Sequence, residues 1–250
     1  MSEEPIVENR AYFPPVLGYH DIRTKPINYF DVTVESFIQH MDFLKDNGYQ
    51  TLGLDDFVNI IESKKPFPEK SVLITFDDGY QGIYKYAAPE LIKRNMKAAF
   101  FVTIKGLDKM EGSYPHITTE ELKEMANNPL FTIGSHTISH SLLNILSEED
   151  RIKEIKESKT MIEKIIGKEV LCFAYPQGGY DRTIIKNVID AGYKFALIGQ
   201  DRGFFHLPAR WSIPRIYVGY EIGVDLLKKY VETYKQLPAE AFYERWEYFE

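Results

Sequence analysis

Cysteine is nearly missing from this chain: Cys172 is the single one among 250 residues. No disulfide can form within the molecule, and a chain this long needs none, because folding buries roughly 70–75% of the surface its unfolded form exposes. The compartment therefore stays open. Cys172 lies in the apolar run Val170-Leu171-Cys172-Phe173-Ala174, which reads as a strand placing it in the core. Long hydrophobic runs are also missing. Nothing approaches 18 consecutive apolar residues, so no membrane-spanning helix is expected. The first ten residues are acidic and polar, without the basic-then-apolar order of a secretory signal. Positive charge is short too. Thirty Lys+Arg against 37 Asp+Glu give a formal net charge of -7, and no basic cluster offsets it. That balance repels phosphate backbones and excludes nucleic acid as a partner. Internal repeats, low-complexity linkers and a Gly-x-Gly-x-x-Gly fingerprint are all missing, which removes solenoids and the common dinucleotide-binding folds.

What is present is an ordinary globular composition, 44% hydrophobic and 27% charged. Short apolar runs alternate with amphipathic segments. Strands are expected at 15–20, 71–77, 97–103, 131–136, 170–176, 194–199 and 213–218, with a weaker one at 49–54. Most are continuously apolar, as parallel strands covered on both faces must be. Helices are expected at 34–47, 147–167, 182–191 and 220–234, and another opens at the capping box Thr118-Thr119-Glu120-Glu121. The helix at 147–167 has the clearest signals: Ser147 as N-cap, an acidic first turn, isoleucines at helical spacing, and Gly167 as its stop. This alternation predicts an α/β fold, preferably a (β/α) barrel of about seven parallel strands. Functional groups then belong at the C-terminal ends of the strands. That singles out His20, the pair Asp77 and Asp78, His136 with His140, and the loop after Pro176.

Thr75-Phe76-Asp77-Asp78-Gly79-Tyr80 ends an apolar strand with two adjacent carboxylates. They repel each other and lose hydration, and a divalent cation on one of them relieves both penalties. Gly79 lets the backbone bend so that both face one cavity, which the alternation of a straight strand forbids. Ser135-His136-Thr137-Ile138-Ser139-His140 carries histidines four apart, a spacing that brings two imidazoles together on one helical turn. Six histidines placed at random in 250 positions would give about 0.14 such pairs. Two imidazoles and one carboxylate leave a coordination position for water, the mark of a catalytic rather than a structural zinc site.

These two segments, followed by Phe173-Ala174-Tyr175-Pro176-Gln177-Gly178, resemble in order the first three motifs of the polysaccharide deacetylases with the NodB homology domain, carbohydrate esterase family 4. The resemblance implies a distorted (β/α) barrel over residues 15–235, after a tail at 1–14 and before an aromatic segment at 236–250 expected to dock on the barrel. It implies hydrolysis of N-acetyl groups on a sugar polymer. By the same resemblance Asp78, His136 and His140 hold one divalent metal, zinc by preference, with cobalt, nickel or iron accepting the same ligands. Asp77 is then the general base, and a backbone N–H at Gln177 serves the oxyanion.

Two departures from the common family pattern matter. No Leu-x-His acid motif lies near the C-terminus, and His206, just before Leu207, is a poor match. His20, in Val16-Leu17-Gly18-Tyr19-His20-Asp21-Ile22, resembles instead the Tyr-His segment of the rearranged branch that deacetylates the poly-N-acetylglucosamine of biofilms, and the acid role goes there. Ala174 stands where many members carry an arginine paired with the base, and Arg215 is the expected substitute. Tyr80, Tyr175 and Trp211 are candidates for stacking on sugar rings. His40 and His116 read as structural or surface residues. The resemblance implies action at a bacterial cell surface on poly-N-acetylglucosamine, chitin, peptidoglycan or acetylxylan, and a monomer is expected. Rival readings are a metal amidohydrolase or deformylase acting on a small amide, and an inactive sugar-binding module.

Overall fold

The computed structural model describes residues 14–63, 65–110, 112–199 and 210–233. The expected N-terminal tail, the aromatic segment at 236–250 and His206 lie outside these residues. The chain runs β1 (Val16–Tyr19), β2 (Ile22–Arg23), β3 (Val32–Thr33), α1 (Val34–Asp46), β4 (Gln50–Leu52), α2 (Leu54–Glu62), β5 (Ser71–Phe76), α3 (Ala88–Arg94) and β6 (Ala98–Val102). It continues through α4 (Thr119–Asn127), β7 (Phe131–Ser135), α5 (Glu148–Ile166), β8 (Cys172–Ala174), α6 (Arg182–Asp190), β9 (Phe195–Leu197), β10 (Ile216–Tyr217) and α7 (Val224–Thr233).

Every pairing in the main sheet is parallel, in the order β10-β1-β5-β6-β7-β8-β9, with β4 beside the first half of β5. The sheet curls back on itself where the chain crosses from β9 to β1. The expected single strand at 213–218 is divided there. Ile213 bridges to Leu197, and Ile216 and Tyr217 pair with Leu17 and Gly18. Pro214 lies between the two pairings; it has no N–H to give a ladder, so the chain changes partners at that point. The result is a curled, distorted (β/α) barrel of seven parallel strands, with the short β4 as an eighth beside β5.

The period of two along the strands decides what each face does. Leu17, Tyr19, Val72, Ile74, Phe76, Ala98, Phe100 and Val102 belong to an outer core shared with the helices. The alternate residues Val16, Leu73, Ala99, Phe101, Cys172, Ala174, Phe195 and Leu197 form the inward-facing core, into which α2 packs Leu54, Phe57, Val58 and Ile61. Each of these large side chains contributes roughly 1.5–3 kcal/mol on burial. Gly134 on β7 leaves room for the Phe101 ring: a Cβ there would stand 2.4 Å from it. The inward parity continues off the strand ends, through 16, 18 and 20, through 73, 75 and 77, and through 132, 134 and 136. His20, Asp77 and His136 therefore arrive at one mouth.

The helices form for local reasons. In α5, Ser147 accepts from the Asp150 N–H and Gly167 closes the helix at φ 68°. In α4 the capping box of Thr118 and Glu121 is complete. Two helices go beyond expectation, α2 and α3, the second entered through a π turn at Ile83–Ala87.

Candidate active site

The turn after β5 places its two carboxylates in one cavity by leaving the extended conformation. Asp78 has φ 71° and Gly79 φ 81°, so two consecutive residues sit in the left-handed region. Asp77 stays tied to the barrel, its N–H donating to the Tyr19 carbonyl at 2.9 Å. Both carboxylates are buried. Arg215, fully buried on the segment leading into β10, donates to both Asp77 oxygens at 2.7 Å and to the Ile198 carbonyl at 2.9 Å. Burial alone would raise the Asp77 pKa. The Arg215 guanidinium and the His136 imidazole outweigh it and hold the carboxyl well below the usual carboxylate range.

Asp78 has other company. Its Oδ1 lies 3.6 Å from His136 Nε2 and 3.3 Å from His140 Nε2. Among the described residues no guanidinium or ammonium group pairs with it. One ligand atom from each of Asp78, His136 and His140 lies within 4.8 Å of the others, a geometry that could hold a metal ion. The chemistry of the donors fits. His136 Nδ1 is 2.8 Å from the Ala174 carbonyl, to which its N–H donates, and this leaves the Nε2 lone pair facing the cavity. Burial lowers the His136 pKa against the pull of Asp77 and Asp78, which favours the neutral imidazole that a cation requires.

The histidine pair meets by a route the spacing did not predict. Residues 136–142 form no helical turn. His136 leaves β7 on the inward parity, and Thr137 at φ 71° and His140 at φ 60° fold the chain so that the second imidazole returns to the first, ring centroids 4.9 Å apart. A β-branched residue in the left-handed region is unusual, and such conformations persist only where surrounding contacts determine them.

The carboxylates and imidazoles open into a cavity of about 830 Å³ that is also lined by His20, Tyr80, Gln177, Tyr180, Tyr217, Tyr29 and Phe30. His20 packs against the Phe30 and Tyr217 rings, at centroid distances of 4.7 and 5.4 Å, and those two rings also meet each other. Its Nδ1 is buried without a partner among the described residues, and burial lowers its pKa against Asp77 and Asp78. Gln177 turns at φ 55°, after a strand end anchored by the Tyr175 N–H on the Leu197 carbonyl. Burial and the adjacent Asp78 raise the Tyr80 pKa.

Two expected residues lie elsewhere. Tyr175 is fully buried, its ring against Phe173 and Tyr180, and does not line the cavity. The parity of β8 explains this, since Phe173 and Tyr175 both point into the outer core. Trp211 packs on the outer core under the Arg210 guanidinium, 5.4 Å from it, also away from the cavity. Beside the expected Tyr80, the rings on the cavity wall are Tyr217, two residues beyond Arg215 on the same face, and Tyr180, with Tyr29 and Phe30 from the loop after β2. Parity from Arg215 would have found Tyr217; no sequence signal marks the others. His40 lies outside the site, buried between the Tyr19 hydroxyl at 3.2 Å and the Ile222 carbonyl at 2.8 Å. His116 is half-buried behind Tyr80.

The polysaccharide deacetylase profile matches residues 64–196. YxkH of Bacillus subtilis, whose name places it among the polysaccharide deacetylases, is 33% identical over 88% of this chain and 77% of its own. The poly-beta-1,6-N-acetyl-D-glucosamine N-deacetylase of Staphylococcus aureus is 27% identical over 86% of this chain and 81% of its own. The solved structure of the Streptococcus pyogenes deacetylase PplD in complex with acetate superposes with a TM-score of 0.76, at 26% identity, over 88% of this chain and 99% of that one. With its barrel, its three convergent loops and these relatives, the chain belongs to the polysaccharide deacetylase family and is a hydrolase of that kind.

Proposed function

We propose that this protein is a metal-dependent N-deacetylase of a polysaccharide built from N-acetylglucosamine, of the poly-β-1,6-linked type. The observation that carries the reading is the division of labour between neighbours: Asp77 is engaged by Arg215, while Asp78 faces two imidazoles and no cationic side chain among the described residues. Asp78, His136 and His140 would hold the cation, zinc by preference, since two nitrogens and one oxygen suit that ion. When bound there, the cation supplies Lewis acidity toward the acetamide oxygen and lowers the pKa of a water molecule.

The chain's own groups supply the remaining steps. Asp77, kept ionised by Arg215, accepts the proton of the attacking water. The Gln177 N–H donates to the oxyanion of the tetrahedral intermediate. His20 donates a proton to the departing amine, which is a poor leaving group without one. The Phe30 and Tyr217 rings hold its imidazole in place. Tyr29, Tyr180 and Tyr217 offer apolar faces with polar edges to sugar rings. The cavity volume lies within the general range of ligand-binding sites. The substrate in the name of the Staphylococcus aureus relative favours the β-1,6-linked polymer over the other acetylated glycans.

The test is acetate release, measured with new amine, from β-1,6-linked N-acetylglucosamine oligomers, chitin oligomers, peptidoglycan and acetylxylan. Chelated protein is compared with protein reloaded with zinc, cobalt, nickel or iron. Release of acetate and amine in equal amounts from the β-1,6 oligomer, lost on chelation and restored by one ion per chain, is expected. Equal turnover before and after complete chelation would overturn the reading.

A further inference from the structure

The loop carrying both histidines is held by a residue that none of the site motifs contains. The N–H groups of Ile138 and Ser139 point the same way, and both donate to Glu154 Oε2 at 2.9 Å. The Ser139 hydroxyl donates to Glu154 Oε1 at 2.6 Å and lies 2.7 Å from the Ser141 hydroxyl. Successive amides converging on one point form a concave anion site, the arrangement that elsewhere receives phosphates. Here the anion is a carboxylate of the same chain, on the second turn of α5. That turn is itself seated, with Ile155 buried and the Ser135 hydroxyl donating to Ser158 at 2.8 Å.

The opposite side of the loop is secured by backbone. The Thr137 carbonyl accepts from Ile104 at 3.3 Å, and the Ile138 carbonyl from Lys105 at 2.7 Å. Thr137 Oγ1 accepts the His140 N–H at 3.0 Å. Two of the five residues from His136 to His140 are non-glycines in the left-handed region. Such a conformation costs of order 1–3 kcal/mol per residue and needs contacts that over-determine it. Glu154 supplies three of those contacts, two of them charge-assisted hydrogen bonds from main-chain amides.

We propose that Glu154 is a positioning residue for the histidine pair. Its carboxylate holds residues 136–140 in the shape that returns His140 to His136 before any ion arrives, so ion affinity depends on a side chain that the ion does not touch. The inference rests on the reading of Asp78, His136 and His140 as a metal site.

Zinc is the probe. Its affinity is measured by competition with a chromophoric chelator for wild type, Glu154→Ala, Glu154→Gln, Ser139→Ala, His140→Ala and, as a control on the exposed face of α5, Glu157→Ala. Amide hydrogen exchange of residues 136–142 is measured on the metal-free proteins. Glu154→Ala is expected to weaken zinc binding about 10- to 100-fold, the usual effect of losing a partner behind a ligand. Loop exchange should rise while the barrel strands stay protected. Glu154→Gln, which keeps one acceptor oxygen, and Ser139→Ala, which removes one bond of three, should fall between. Both report even if Glu154→Ala does not fold. Wild-type affinity and wild-type loop exchange in Glu154→Gln and Ser139→Ala would overturn the proposal. Failure of the underlying metal site looks different: wild type would bind no zinc, or His140→Ala would bind as tightly as wild type.

Discussion

Asp77 and Asp78 are adjacent in sequence, yet their carboxylates have opposite surroundings. Asp77 ends an inward-facing strand position and meets a guanidinium that neutralises it within the fold. Asp78 is turned by a left-handed backbone toward imidazoles, which offer lone pairs rather than charge. One carboxylate is finished by the protein; the other, with its two imidazoles, could hold a cation. Two identical side chains can thus take two roles when their neighbours differ, the pattern that separates acid–base groups in many active sites. The comparison predicts that the two positions fail in different ways. Asp77→Asn should lower kcat by about 10²–10⁴-fold, roughly 3–5.5 kcal/mol of barrier, while zinc content stays at one ion per chain. Asp78→Asn should lose the ion itself. Assays of turnover and metal content on both variants check this, and loss of zinc from Asp77→Asn would erase the distinction.

Next in size is the partner that makes Asp77 different. Both members of the Asp77–Arg215 pair are buried, so removing one leaves a charge with neither water nor partner. Arg215→Met should cost about 3–5 kcal/mol of stability, read from urea midpoints. In the Asp77→Asn background the same change should cost less, because the stranded carboxylate is gone. Equal costs in both backgrounds would mean that the pair does not act as a unit.

Much of this arrangement was legible in the sequence, through strand parity and the chemistry of a few motifs. Val72-Leu73-Ile74 followed by two aspartates and a glycine announced a strand end with a bend. The four-residue histidine spacing announced convergence, although the backbone achieves it by left-handed residues rather than a helical turn. Parity along β8 puts Tyr175 with Phe173 in the outer core, and the same rule puts Tyr217 with Arg215 on the cavity side. Glu154 and the Tyr29–Phe30 wall could not be read. Their positions depend on how α5 and the loop after β2 lie over the mouth, a tertiary relation that no local period encodes. The helices α2 and α3 are short, at 9 and 7 residues, and gave too few turns for a clear period.

A third imidazole sharpens the contrast between groups finished by the fold and groups left open. His40 has both nitrogens engaged, accepting from Tyr19 and donating to the Ile222 carbonyl. Burial depresses its pKa to about 4, against the partial support of that carbonyl. A histidine depressed in the folded state favours folding above its unfolded value of 6.5, and that contribution is lost as pH falls toward 4. About 3 kcal/mol of stability should disappear across this window. His40→Gln should flatten the loss in urea titrations of the metal-free protein; an unchanged slope would place the acid sensitivity elsewhere.

The smallest effect concerns the turn that separates the two carboxylates. Gly79 sits at φ 81°, and a Cβ there would stand 3.3 Å from Val102 Cγ1. Gly48, at φ 74°, closes α1 with no atom within 4 Å of the same added carbon. Both substitutions to alanine carry the left-handed penalty of about 1–2 kcal/mol, which the lower chain entropy of the unfolded state partly offsets. Only Gly79→Ala adds a contact that must be relieved, and the easiest relief is rotation of the turn that aims Asp78. Gly48→Ala should therefore lower the melting temperature without touching zinc affinity. Gly79→Ala should lower both, with the affinity loss exceeding what the stability loss implies. If the two variants behave alike, the bend after Asp78 sets no more than the path of the chain, and the opposite surroundings of the two carboxylates must come from their partners alone.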